Sequence, residues 1–524
     1  MNRFLTSLIA ALTLTSLQAQ TLQKAPRLVI VLTIDQLRTD YLDDFSSILG
    51  QDGFKKLWKE GRVYCNAEFT FNKIDRSSAV AAIYSGTTPS INGIISNQWM
   101  DIKSLQTVNS TDDKSFMGYY TDENSAATRL LSSTITDELK IASQKRALVY
   151  SISPFRDTAI LSAGHAANGA FWINKNTGKW CGTTYYGDFP EWINQYNESK
   201  SVDYRIKDIV WEPVYPRFMY SFLPDWRDLN FKYKFADNHE NKYRRLITSP
   251  YVNDEVNALT ETLLNKTDIG TDNITDLLCL TYYAGNYNHK SIQECATEIQ
   301  DTYVRLDRSL ANLLKIIKGK IDLKDVLFCI TSTGYSDTES ADHGSYNIPG
   351  GEFHMNRCAA LLNMYLMATY GEGKYIETYY NQQIFLNHKL LENKNLNLEE
   401  VEKKTAEFLV QFSGVNEVYT SNQLLLGAWT PEIEKRRNSY NRKLSGDIMV
   451  DVLPGWTIVD EKNSNTKNVR LEFTPSPFIF FGYDIKPAII QTPVTIDHIA
   501  PTLSRLIRIR APNGCKAAPF VDIQ

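Results

Sequence analysis

An α/β fold with a mostly parallel central sheet and flanking helices is predicted by two kinds of segment in the sequence. Leu28–Ile34 (LVIVLTI) and Val326–Ile330 with its flanks (DVLFCITS) are short apolar runs rich in β-branched residues, a pattern typical of strands covered on both faces. Residues 297–318 carry the helical period instead, and Gly319 follows as a stop. Their common apolar face is formed by Ile299, Tyr303, Leu306, Leu310, Leu313, Leu314 and Ile317. We therefore expect helices packed on both faces of one sheet.

Length and composition indicate a large globular protein. The chain has 524 residues, of which 43% are apolar and 22% charged, and its formal net charge is −4. Because it has no excess of basic residues, the composition favours neither nucleic acid nor an anionic membrane surface as a partner.

The N-terminus has the layout of a secretory signal peptide. Arg3 precedes a run of about 13 mostly apolar residues, and the small residue Ala19 follows. The alternative is an N-terminal membrane anchor, but the run is shorter than the roughly 20 residues that a spanning helix needs. We predict a signal peptide at 1–19, export to the periplasm or an equivalent compartment, and no transmembrane segment in the mature chain.

Two segments interrupt the alternation of strands and helices. Residues 385–445 are helical and charged, with Asn397 as a possible cap and Glu400 three residues later. The stretch 170–250 is rich in Tyr, Trp, Asn and Gly and has few helical repeats. We predict one domain over 20–524 that carries insertions at about 165–255 and 355–470.

Two places along the chain are candidate parts of a site. Asp35 directly follows the first predicted strand, and ligands of parallel sheets bind beyond the carboxyl ends of strands; the alternative is an Asp that caps the next helix. Arg76, Ser77 and Ser78 precede the helix-like run AVAAIYSG, which ends at Gly86. A helix N-terminus binds anions because its free N–H groups point outward.

Around these residues the sequence resembles the periplasmic, phosphate-irrepressible alkaline phosphatases of the alkaline phosphatase and nucleotide pyrophosphatase/phosphodiesterase superfamily. The resemblance covers nearly the whole mature chain in the same order. It is carried by LTIDQLRTDYL (32–42), GFKKLWKEG (53–61), AAIYSGTTPSINGIISNQWMD (81–101), AILSAGHAAN (159–168), DTYVRLDRSL (301–310), IPGGEF (348–353), SGDIMVDVLPGW (445–456), FFGYDIK (480–486) and IAPTLSRLIRIRAPNG (499–514). It implies an alkaline-phosphatase-like fold.

The resemblance also implies where two zinc ions and a Thr nucleophile would act, and most of those positions hold other residues. Asp35 matches a metal-binding Asp and Asn97 matches an Asn that contacts phosphate, so both are retained. Arg76 stands at the nucleophile. The five other zinc-ligand positions are occupied by Tyr282, Asn286, Thr333, Gly334 and Pro475. The phosphate-binding Lys and Arg positions are occupied by Phe155 and Asp157.

One remaining ligand cannot hold zinc, which needs three or four. We therefore predict a catalytically inactive pseudoenzyme without a metal cofactor, which acts by binding an unidentified envelope protein or a small anionic ligand. Its remnant pocket consists of Asp35, Arg76 and Asn97. We expect an Asp35–Arg76 ion pair there, because a guanidinium can replace the charge of a lost cation; the alternative is an Arg76 that points to solvent or pairs with Asp75.

A rearranged hydrolase is the alternative function. In that interpretation Ser77 or Ser78 is a shifted nucleophile, and Asp342 and His343, in the sequence ADHG (341–344), are rebuilt zinc ligands. The protein would then hydrolyse phosphate mono- or diesters with zinc as its cofactor.

Overall fold

The computed structural model describes residues 25–220, 230–237, 241–337, 349–461, 465–469 and 474–523. The signal peptide predicted at 1–19 lies outside these residues. The strands are β1 Leu28–Asp35, β2 Arg62–Tyr64, β3 Ala67–Glu68, β4 Gln98–Asp101, β5 Gln106–Asn109, β6 Gly118–Tyr119, β7 Val149–Ser153, β8 Gly169–Ile173, β9 Trp180–Thr183, β10 Val210–Trp211, β11 Tyr233–Lys234, β12 Asp276–Tyr283, β13 Val326–Ser332, β14 Gly351–His354, β15 Ile376–Tyr380, β16 Gln383–Leu386, β17 Val415–Thr420, β18 Ile448–Val452, β19 Trp456–Asp460, β20 Asn465–Asn468, β21 Phe478–Gly482, β22 Ala488–Ile490 and β23 Val494–Thr495.

The α-helices connect these strands and cover both faces of the largest sheet. They are α1 Thr39–Asp44, α2 Phe54–Glu60, α3 Arg76–Ser85, α4 Pro89–Asn92, α5 Ile135–Ala142, α6 Arg156–Ala163, α7 Glu191–Ser199, α8 Val202–Arg205, α9 Lys242–Ile247, α10 Tyr251–Lys266, α11 Ile292–Lys320, α12 Met355–Tyr370, α13 His388–Asn393, α14 Leu398–Leu409, α15 Ser421–Leu426, α16 Pro431–Ser439 and α17 Ile499–Leu506. Among the described residues, none of the helices combines the length and the apolar character that crossing a bilayer requires.

The central sheet has ten strands in the order β22-β2-β21-β13-β1-β12-β7-β8-β9-β6. Its middle five strands, from β13 to β8, are parallel to one another, whereas β21 and β9 pair antiparallel with their neighbours. The two apolar runs predicted as strands are β1 and β13, which lie side by side. The α/β fold with a mostly parallel sheet is thus confirmed.

Alternation along β1 explains why Asp35 faces helix α3. Leu28, Ile30, Leu32 and Ile34 pack into one apolar cluster, which includes residues of α10 and α11, while Val29 and Val31 pack into a second cluster with α3. Successive side chains of a strand point to opposite faces. Asp35 therefore has the same parity as Val29 and Val31, and its side chain lies on the α3 side.

The predicted core helix over 297–318 is confirmed within α11. The structure starts this helix earlier, at Ile292, where Ser291 and Glu294 form a capping box. Cys295 departs from helical geometry with φ −136°, so the apolar period becomes regular only after it. This kink explains why the sequence pattern begins later than the helix.

A second layer of structure lies within the range predicted as an insertion at 355–470. Its four-stranded sheet has the order β15-β16-β18-β17, and helices α12 and α14 pack on it to form a separate apolar cluster. The predicted cap residue Asn397 accepts hydrogen bonds from the backbone N–H groups of Glu399 and Glu400 at the start of α14. We call the part from Met355 to Val469 the inserted subdomain.

The range predicted as an insertion at about 165–255 begins with strands of the central sheet. Strands β8 and β9, which are five and four residues long, belong to that sheet. The described residues that follow form short helices and the small β10–β11 pair.

Candidate functional site

The start of helix α3 is positioned beside the end of β1 by a complete N-cap. Asp75 accepts a hydrogen bond from the backbone N–H of Ser78, and the Ser78 side chain reciprocates to the N–H of Asp75. The other carboxylate oxygen of Asp75 accepts from the Ser96 hydroxyl and from the backbone N–H of Asn97. Asp75 is therefore engaged as a cap and is not the partner of Arg76.

Arg76 is ion-paired with Asp35, as the sequence predicted. Its Nε donates to Asp35 Oδ2 at 2.9 Å, and the Asp35 side chain is 0% exposed while that of Arg76 is 15% exposed. The other oxygen, Asp35 Oδ1, accepts from the Thr333 hydroxyl at 2.9 Å. Both carboxylate oxygens of this buried residue thus have a donor, which is what a buried charge requires.

The guanidinium of Arg76 is enclosed by two further residues. Its central carbon lies 3.5 Å from the ring centroid of Phe155, a stacking geometry that guanidinium favours. Its Nη1 lies 3.9 Å from Asp157 Oδ1. Burial by itself would lower the pKa of Arg76, but Asp35, Tyr335 and Asp157 hold that pKa well above its ordinary value. Arg76 is a permanent cation in this pocket.

Both serines of the helix start are buried and hydrogen-bonded within the fold. The Ser77 hydroxyl donates to Asp157 Oδ2 at 2.9 Å and shares a hydrogen bond with Ser110. The Ser78 hydroxyl lies 3.0–3.1 Å from the Asp75 carboxylate and carbonyl. Each hydroxyl therefore has a carboxylate beside it, but its burial keeps it from a substrate in this conformation.

Asn97 lies beside the pocket, but it contacts the helix and not Arg76. Its side-chain carbonyl accepts a hydrogen bond from the backbone N–H of Ser77 at 2.9 Å. The backbone N–H of Ser78 donates to the Asp75 carboxylate. Two of the first backbone donors of α3, those of Ser77 and Ser78, therefore already have acceptors. A helix start binds anions through such free donors, so this one is a poor anion site.

The other positions implied by the resemblance lie in separate local environments. Tyr282 is buried and its hydroxyl donates to Asn257 of α10. Asn286 donates to the Lys290 carbonyl at 2.9 Å, and the Pro475 carbonyl accepts from the Thr39 N–H at 2.9 Å. The structure therefore brings together Asp35, Arg76, Thr333, Phe155 and Asp157. The hydrogen bonds of Tyr282, Asn286 and Pro475 go to other residues.

The residues of this pocket do not fit a zinc ion. Asp35 has both oxygens engaged, and the charge of Arg76 would repel a cation at the same place. Among the residues that the structure describes, no group of three or more His, Cys, Asp and Glu side chains could hold a metal ion. Asp342 and His343 lie outside the described residues.

The model of the family described as type I phosphodiesterase / nucleotide pyrophosphatase matches residues 29–477 of the chain. This chain belongs to that family. Members named alkaline phosphatases are among its relatives. The chain is 28% identical to alkaline phosphatase PafA of Elizabethkingia meningoseptica, over 95% of this chain and 94% of that protein. It is 27% identical to alkaline phosphatase PhoV of Synechococcus elongatus, over 95% and 93%.

The family fold is evident in the coordinates as well. The crystal structure of wild-type PafA matches with a TM-score of 0.84 at 26% identity, covering 95% of this chain and 99% of that one. The alkaline-phosphatase-like fold implied by the resemblance is therefore confirmed.

Residues Thr333, Phe155 and Asp157 complete the pocket, although sequence reasoning treated them only as lost positions. Each stands where the resemblance placed a zinc ligand or a phosphate-binding residue. That correspondence was the available signal, because positions that converge on one site in the family are expected to lie close together in this fold as well. Which of them would touch Arg76 required the coordinates, because Tyr282, from the same set, turns toward α10 instead.

Proposed function

We propose that this chain is an exported family member that has lost phosphoester hydrolysis and acts by binding. One observation carries the proposal: the Arg76 guanidinium is paired with Asp35 and stacked on Phe155. Family membership does not by itself require activity, because function depends on the site and not on the fold.

The chemistry of a two-metal phosphatase has no substitute in this pocket. Its cations neutralise the phosphoryl oxygens and lower the pKa of the nucleophile. Arg76 supplies one positive charge, but Asp35 and Asp157 surround it with two negative charges. A phosphate dianion entering here would meet net repulsion, so the pocket supports neither turnover nor tight binding of a phosphate ester.

Export is the second component of the proposal, and it is supported by the sequence layout of Arg3, the apolar run and Ala19. Intact-mass measurement of the protein recovered from the periplasm of an expressing cell tests it. We expect a mass that lacks residues 1–19. A mature protein that retains them contradicts the signal peptide.

Hydrolysis is tested with 4-nitrophenyl phosphate and bis(4-nitrophenyl) phosphate, with and without added zinc. We expect no turnover above background, and none after Arg76→Thr, since one hydroxyl restores neither metal site. Stoichiometric zinc in the purified protein, with turnover that Ser77→Ala or His343→Ala abolishes, would replace this proposal with the rearranged hydrolase. The Ser199→Ala variant, at an exposed helical serine, is the matched control for Ser77→Ala.

A further inference from the structure

A cavity of about 430 Å³ lies between the central-sheet part of the protein and the inserted subdomain. One wall is formed by the segment before α3, which includes Asp75, and by Gln98 and Trp99 of β4. The facing wall comes from the β15–β16 hairpin, β18 and α16. Its volume falls within the range of about 300–1,000 Å³ that is typical of small-molecule sites.

The deep part of the cavity is aromatic and thioether-rich. Trp99, Met100, Tyr380 and Phe385 are all buried, and the last three form one apolar cluster across the two parts of the chain. The Tyr380 hydroxyl also donates to Gln98 Oε1 at 3.4 Å. Surfaces of this kind bind flat apolar groups by stacking and dispersion.

The charges that line the cavity favour a ligand without negative charge. Among the described lining residues, four are carboxylates and two are cationic. Arg436, one of the two, is 6% exposed and lies 3.1 Å from Asp451 and 3.3 Å from Glu432. Its charge is thus compensated inside the wall, and the described lining residues together carry a formal negative excess of two. An anion entering it would be repelled.

The β15–β16 hairpin of the cavity wall has a tight turn and a hydrogen bond to the neighbouring segment. Asn381 and Gln382 connect β15 to β16, with φ of 45° and 64°. A two-residue hairpin turn with both residues at positive φ matches the twist of its strands. Gln383, the next residue, accepts the backbone N–H of Gly446 through its side-chain carbonyl at 2.7 Å. The wall is therefore built before any ligand arrives, which reduces the entropy lost on binding.

We propose that this cavity binds a small organic molecule with an aromatic or other apolar body that is uncharged or positively charged. The proposal deepens the binding role proposed above and rests on it. It places that role in the cavity beside the inserted subdomain and not in the Asp35–Arg76 pocket. The ligand class, uncharged or positively charged, differs from a phosphate ester, which is an anion.

The test uses the mature chain and three probes with one naphthalene body: the cation 1-naphthylmethylammonium, the neutral alcohol 1-naphthalenemethanol and the carboxylate anion of 1-naphthaleneacetic acid. Dissociation constants are measured by isothermal titration calorimetry. We expect the cation and the alcohol to bind at least about tenfold more tightly than the anion, a difference that one favourable charge contact can supply. Absence of binding by all three, or tightest binding of the anion, overturns the proposal.

Two pairs of variants locate the binding. Gln98→Trp fills the cavity from an exposed position, whereas Gln106→Trp places the same bulk on the exposed neighbouring strand outside it. We expect more than tenfold weaker binding in the first variant and no change in the second. Equal effects of the two substitutions would exclude this cavity as the site.

The second pair tests the charge. Glu432 has a 64% exposed side chain and lines the cavity, and Glu434 is exposed on the same helix outside it. Glu432→Gln should lower the preference for the cation over the anion about two- to fivefold, and Glu434→Gln should leave it unchanged. An unchanged preference in both variants refutes the charge argument.

Phosphoester turnover is measured on the same samples. Turnover together with cavity binding would overturn the proposed loss of hydrolysis and leave this inference standing. Probe binding that fails in a protein without turnover would overturn the inference alone.

Discussion

The Asp35–Arg76 pocket and the cavity beside the inserted subdomain lie on either side of one short segment, yet their polar groups are arranged differently. Asp75 lines the cavity, while Arg76, the next residue, lies in the pocket. In the pocket each carboxylate oxygen of Asp35 has a donor from within the chain. The cavity instead retains about 430 Å³ of open volume, although protein interiors are normally close-packed.

In the Asp35–Arg76 pocket the chain itself supplies the partners of a buried carboxylate. Without a partner, such a group costs several kcal/mol or becomes protonated. The aromatic side chains that line part of the cavity have no such requirement. Closure of the one region and openness of the other therefore point to the cavity as the place where a ligand can still bind.

The largest effect on stability is expected from removing Arg76, the cation of the Asp35–Arg76 pocket. Arg76→Ala leaves Asp35 buried with only Thr333 as a donor, so we expect the free energy of unfolding to fall by about 3–5 kcal/mol. Urea denaturation measures it. The Asp35→Asn, Arg76→Ala double variant should recover part of the loss, because the orphaned charge is then removed.

Arg244→Ala is the matched control for this substitution. Arg244 is exposed, and its removal should change stability by no more than about 0.5 kcal/mol. If Arg76→Ala is as mild as this control, the pair does not hold the pocket closed and the comparison between the two regions fails.

An intermediate effect is expected at a third region, where compensation of a buried carboxylate is incomplete. Burial raises the pKa of Glu255 to about 7, Arg205 lowers it and Asp254 raises it. Between the unfolded value of about 4.3 and 7, the folded protein holds a proton that the unfolded chain has lost. The free energy of unfolding should therefore fall as pH rises through this window.

Chemical denaturation at pH 5 and pH 8 checks this dependence. We expect Glu255→Gln to remove at least about 1 kcal/mol of the difference between the two pH values, the equivalent of one pKa unit. Glu261→Gln, at an exposed position of the same helix, should leave the difference intact. If both variants keep the same difference in the free energy of unfolding between the two pH values, Glu255 does not cause the pH dependence, and its charge is offset by its partners.

The smallest effect is expected at the cavity wall. Tyr380→Phe removes the long hydrogen bond to Gln98 and keeps the ring, so stability should fall by about 0.5 kcal/mol, the lower end for such bonds. Thermal unfolding measures it, with Tyr204→Phe at an exposed site as the control. A loss above about 2 kcal/mol would show that this bond clamps the two walls together, and that the cavity depends on it.

Local patterns determined much of the fold. The β-branched run of β1 and the apolar period of α11 have one stable interpretation each, because burial of a continuous apolar strand or stripe requires a covered sheet. Strands β8 and β9 are part of the central sheet because they pair with their neighbours, a feature that their own short sequences do not indicate. Asn397 was predictable as a cap because capping involves only the next three residues.

The sequence by itself predicted that most ligands implied by the resemblance are replaced, and that Asp35 and Arg76 come from segments that converge. It could not decide which replaced residues would meet. Thr333 and Phe155 contact the Asp35–Arg76 pair, whereas Tyr282 does not, because side-chain direction depends on strand parity and packing. The cavity was also beyond reach, since Trp99 and Phe385 lie far apart along the chain. Only tertiary structure, which buries distant segments against each other, decides what such residues share.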